Sequence, residues 1–154
     1  MTYNINYFNL LQKTSNPSTQ AVSTTYSEVG GSKGNLVFTK STPTFLYKFS
    51  FYAESKSYMH IKLQKSNDNF SSNIEDVPDC NINFSSDTIQ TSDQYYKVCN
   101  VMFIVENLNS AYAHLRLVTR AYSSSWNSNL HTTNYFDGGS VNVSYEPILS
   151  IIEI

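Results

Sequence analysis

The chain has 154 residues, of which 14% are charged and 14% aromatic, with 12 Tyr, 9 Phe and a formal net charge of −2. A domain of this length buries roughly 70% of its unfolded surface, so it needs neither a metal nor a disulfide to form a core. The low charge, with no cluster of Lys and Arg, excludes a protein that tracks nucleic-acid phosphates. What is left is a neutral polar surface rich in Tyr, which suits contact with other proteins or with sugars.

The opening residues, Met1 to Phe8, have no basic start followed by an apolar core, so no signal peptide is read. No apolar run approaches the roughly 20 residues that cross a bilayer, and membrane insertion is not expected. Residues 1–20 read as an N-terminal arm or docked edge segment, and residues 21–154 as the domain. Lys13 to Gln20 is polar, holds Pro17 and reads as a loop or linker.

Ala21–Val29 alternates weakly. Gly30-Gly31-Ser32-Lys33-Gly34 lacks the spacing of a phosphate-binding loop and reads as a turn. Leu36–Thr39 is expected to be a short strand. Phe45, Tyr47, Phe49, Phe51 and Ala53 recur at every second position, the clearest strand pattern in the chain, and mark a core face. In Tyr58–Lys65, Met59, Ile61 and Leu63 alternate with His60, Lys62 and Gln64, which predicts a strand with one wet or partner-facing side. Ser66–Asp76 is a polar loop without the calcium-loop spacing.

Val77–Phe84 predicts a strand with Cys80, Ile82 and Phe84 on one face, and a small strand is expected at Thr88–Gln90. Tyr95–Glu106, apolar on both faces near its end, predicts a central strand. Tyr112–Tyr122 alternates, and the Asn107-Leu108-Asn109-Ser110 link predicts a hairpin between the two. Asp137-Gly138 marks a turn. Ile148–Ile154 predicts a terminal strand paired inside a sheet. Cys80 and Cys99 either form a disulfide, if their Cα atoms lie within about 7 Å, or stay as buried thiols.

No equipment for catalysis is visible. His60, His114 and His131 show no His-x-x-x-His spacing, although His60 and His114 could meet across strands. There is no Gly-x-Ser-x-Gly elbow, and the twelve acids are scattered rather than paired. The expectation is a non-enzyme without cofactor or metal. Trp126, in the loop Ser123-Ser124-Ser125-Trp126-Asn127-Ser128-Asn129, either stacks on a sugar, with Tyr122 and Asn127 beside it, or folds back over one end of the molecule.

Short strands near ten-residue spacing predict an all-β, antiparallel sandwich or jelly roll. Five segments carry a family resemblance: Phe45–Phe51, Ile61–Ser66, Leu115–Ser125, Leu130–Gly138 and Pro147–Ile154. Together they resemble short proteins of marine phages and large DNA viruses, and the last also resembles the closing strand of the tumour-necrosis-factor-like jelly roll. That resemblance implies a homotrimer on the virion surface, assembled in the host cytoplasm: a capsid decoration, spike or fibre head that contacts other virion proteins and a host-surface glycan. It also implies an uncharged interface, for which Tyr47, Tyr58, Tyr96, Tyr112 and His114 are the candidates. The alternative is a carbohydrate-binding module without catalysis.

Overall fold

The row Phe45, Tyr47, Phe49, Phe51 and Ala53 is completely buried. It lies on the strand around which both layers assemble. The computed structural model describes residues 9–13, 19–55, 58–84, 95–109, 111–124, 128–136, 141–144 and 146–154. No helix occurs among them. The strands in chain order are β1 (Asn9–Lys13), β2 (Gln20–Ala21), β3 (Ser27–Glu28), β4 (Gly34–Asn35), β5 (Phe45–Ser55), β6 (Met59–Ser66) and β7 (Ile74–Phe84). They continue with β8 (Tyr95–Val105), β9 (His114–Ala121), β10 (Ser128–Leu130), β11 (Thr132–Phe136), β12 (Val141–Ser144) and β13 (Ile148–Glu153).

A six-stranded sheet is built around β5. β8 runs along one edge of β5 for its full length, and β13 and then β10 share the other edge. β1 pairs with β13 and β2 with β10. A five-stranded sheet has β9 and β6 at its centre, with β3 and β4 on one side and β7 on the other. β11 and β12 form a separate ribbon, and the Asp137-Gly138 turn between them lies outside the described residues. Among the described residues all pairings are antiparallel, and one set of them nests: β1 with β13, β3 and β4 with β9, β5 with β8, and β6 with β7.

The two sheets meet over an apolar layer. β5 contributes its aromatic row, and β6 and β9 supply Met59, Ile61, Leu63, Leu115 and Leu117. Burying each such side chain contributes about 1.5–3 kcal/mol. A slip of one residue would turn the whole row to water, so the core sets the register. Tyr47 keeps a polar tip in this layer, and its hydroxyl donates to the Ser32 carbonyl at 2.5 Å. Burial pushes the Tyr47 phenol well above its ordinary pKa, and the Ser32 bond offsets only part of that shift.

Several sequence expectations fail for physical reasons. Tyr95–Glu106 and Tyr112–Tyr122 do not form a hairpin: β8 pairs with β5 in one sheet and β9 with β6 in the other. The link crosses between layers, anchored by buried Leu108 and turned by Asn107 at φ 53°. Among the described residues β8 is an edge strand, with Val98, Met102 and Ile104 exposed, not a doubly buried one. Strand structure falls at Gly34–Asn35, not at Leu36–Thr39. On β7, Cys80 is buried, whereas Ile82, although it pairs with buried Ile61, is 36% exposed because β7 ends its sheet among the described residues. Cys80 and Cys99 are separate buried thiols. The Thr88–Gln90 strand lies outside the described residues.

Candidate functional site

Strand register brings together residues that lie far apart in the chain. On the outer face of the five-stranded sheet, His60 of β6 pairs with Asn83 of β7 on one side and with Arg120 of β9 on the other. Ser27 of β3 pairs with Thr119, so the preceding residue, Tyr26, arrives beside Arg120. The Arg120 guanidinium carbon lies 5.1 Å from the Tyr26 ring centroid. At the end of the same two central strands, the Tyr122 N–H donates to the Tyr58 carbonyl at 2.8 Å. With Met59, these six residues wall a cleft of about 160 Å³.

The cleft has an aromatic rim. Tyr122 is 82% exposed, an unusual position for a large ring unless something covers it. Tyr58 is half-exposed. The Tyr26 hydroxyl lies 2.5 Å from His60 Nδ1, which fixes both rings edge to face. That bond engages one imidazole nitrogen and leaves Nε2.

The two arginines of β9 have different surroundings. Arg116 donates from Nε and Nη2 to Gln64 Oε1 at 3.2 and 3.1 Å, and from Nη1 to Glu28 Oε2 at 3.1 Å. Its guanidinium also covers the Phe70 ring at 4.2 Å. Lys62 is similarly committed, 2.6 Å from Asp76 Oδ2 and 4.2 Å from the Tyr26 ring centroid. Burial opposes the Asp76 charge, yet Lys62 and Gln64 hold that carboxyl below its ordinary pKa. Arg120 has no acidic partner among the described residues. It is the cation left over on this face, and it points the chemistry of the cleft toward an anion.

A second surface lies on the opposite side of the molecule. The outer face of the six-stranded sheet carries the rungs Ile104–Leu46–Ile152, Met102–Lys48–Ser150, Asn100–Ser50–Ile148 and Val98–Tyr52. Met102 is 64% and Ile104 57% exposed. A groove of about 390 Å³ runs between Met102, Asn100, Lys48 and Ile148. Lys48 is the single charge in those rungs.

The predicted site residues scatter over these surfaces. Tyr122 stands on the rim of the cleft, whereas Trp126 and Asn127 lie outside the described residues. Of the interface candidates, Tyr47 is a correction: it lies in the core of its own chain, where no neighbouring molecule reaches it. Tyr58 rims the cleft. Tyr112 donates its hydroxyl to Glu75 beneath the Lys65 ammonium. His114 bonds Asn35 at 2.8 Å beside Phe70. Tyr96 pairs with Glu54 along the backbone, and its side chain lies outside the described residues. These five do not form one patch.

Sequence reasoning missed Tyr26, His60, Asn83 and Arg120 as a set. The available signal was the outward position of His60 and Arg120 on two alternating strands, but neighbourhood across strands needs the pairing. The chain matches no family model and no curated protein.

Proposed function

We propose that this chain is a structural module that assembles through the outer face of its six-stranded sheet into a homotrimer on a virus particle, as a capsid decoration, spike or fibre head. The carrying observation is the contrast between the two outer faces. On the five-stranded sheet, Lys62, Asp76, Gln64, Arg116 and Glu28 form a hydrated, mutually satisfied network. On the six-stranded sheet, Val98, Met102, Ile104 and Ile148 stand in water. Charge is depleted at the centres of protein interfaces, and the second face fits that pattern. Closed symmetry would cover the same patch on every copy and leave no open edge.

The nested pairing supports a jelly roll of the tumour-necrosis-factor-like kind. A chain whose first strand joins its last, and whose inner strands pair inward in turn, is one long antiparallel ribbon rolled into two layers. The resemblance of its segments to phage and large-virus proteins supplies the particle context.

Light-scattering mass tests the assembly. The wild type should run near three times 17.5 kDa, and Ile104→Lys should run as a folded monomer. A monomeric wild type at high concentration would refute the trimer. A second reading, glycan binding without turnover, is favoured by the tyrosine-rimmed cleft, which lies on the sheet opposite the proposed interface and stays open after assembly.

A further inference from the structure

We infer that the cleft between Tyr26, Tyr58, His60, Asn83, Arg120 and Tyr122 takes a single sugar ring bearing a carboxylate. The inference rests on the glycan reading and names the class of sugar. Size comes first. At about 160 Å³ the cleft is small, roughly half the ~300 Å³ at which sites for drug-sized molecules begin. That is room for one ring, not for a chain of them.

The lining chemistry then narrows the class. Tyr122 and Tyr58 line the cleft and are exposed, and a tyrosine ring is a surface on which the C–H side of a pyranose can stack. The Asn83 amide and the His60 imidazole sit on one rung and supply donors and acceptors for hydroxyls. Arg120 occupies the next place on that rung, and its planar fork suits bidentate recognition of a carboxylate. The number of free cations matters as well. Lys62 is already held by Asp76, and Arg116 by Glu28. One uncommitted guanidinium matches one negative charge; a phosphate dianion would call for more. Tyr26 serves as a positioning residue, with its ring against the guanidinium and its hydroxyl on His60.

The test is a nuclear magnetic resonance titration of the full-length chain with methyl glucuronoside, and with methyl glucoside as its neutral counterpart. Acetate and inorganic phosphate serve as separate anion probes. The glucuronoside should perturb the amides at 58–60 and 120–122 and bind about tenfold more tightly than the glucoside, the scale of one charge-assisted hydrogen-bonded pair. Arg120→Gln should erase that preference. Tyr122→Ala should weaken both sugars. Both substitutions sit on exposed side chains and leave the core untouched.

Equal binding of the two sugars would overturn the acidic class and leave the glycan reading standing. Binding of neither sugar would overturn both. Acetate acting as well as the glucuronoside, or phosphate binding more tightly, would show an anion site with no use for the ring and would also overturn the inference. So would an acid preference that survives Arg120→Gln.

Discussion

Acidification should destabilise this protein in a window set by one buried imidazole. His131 follows β10, is fully buried, and has no hydrogen-bond partner on either ring nitrogen among the described residues. Its backbone N–H donates to the Tyr52 carbonyl at 2.8 Å, and its φ is 72°. Among the described residues, Phe51, Gly30 and Gln20 lie beside it, and none of these carries a charge. Burial therefore pushes its pKa down from the ordinary 6.5 to about 4.

Between those two values the unfolded chain binds a proton that the folded chain refuses. Stability contributed by the neutral ring is therefore whole above pH 6.5, is lost as pH falls toward 4, and changes no further below that. Each pKa unit corresponds to about 1.36 kcal/mol. After allowance for screening by solvent near the domain end, the expected loss is about 2 kcal/mol. Asp68, Glu75, Asp76 and Glu153 are all held below their ordinary values of 3.8 to 4.5, so their losses set in around those values and overlap only the acid end of the window, where both proteins share them. The assay is urea unfolding from about pH 7 to about pH 4.5, comparing wild type with His131→Asn, since Asn tolerates positive φ and does not titrate there. The wild type should lose stability steadily on acidification, and the variant should stay nearly flat. Equal slopes would refute the assignment whatever the absolute stabilities.

Two further outcomes follow from the same packing. Tyr47→Phe keeps the ring but strands the Ser32 carbonyl in the core; urea unfolding should show a loss of about 1–2 kcal/mol, and no loss would mean that the hydroxyl is redundant. Asp68 accepts bonds from the Ser71, Ser72 and Asn73 amides and holds the 67–73 turn together. Asp68→Ala should speed amide exchange in that turn while the melting temperature stays nearly constant, and unchanged exchange would show that Ser66 suffices.

What could be read from the chain in advance follows the strength of alternation. Phe45–Ala53, Tyr58–Lys65 and His114–Ala121 carry a period of two with bulky apolar residues, and each forms a strand with the expected inward face. Pairing partners were another matter. A polar link such as Asn107–Asn109 serves equally as a hairpin turn or as an arch between layers, and only buried Leu108 marks the difference. The exposure of Met102 and Ile104 was hidden for the opposite reason, since a strand apolar on both faces reads as central whether the second face is covered by its own chain or by nothing. The cleft was the least legible feature. Its side chains come from positions 26, 58, 60, 83, 120 and 122 on four separate strands or strand ends, so their proximity is a property of register, not of spacing. Of these, Tyr122 alone was singled out for ligand contact, and Tyr58 was assigned to a different surface.

The nesting of the strands also governs how the molecule comes into being. β5 carries the aromatic row, yet its neighbours β8, β10 and β13 are made long after it. At ordinary rates of synthesis the row waits on the order of ten seconds before Ile148–Glu153 arrives to close that side. The pairing of β5 with β8 and of β6 with β7 and β9 is complete by Ala121, but the side of β5 that β13 covers is closed last. Such a chain folds slowly for its size and depends, while nascent, on whatever keeps greasy segments apart in the cell.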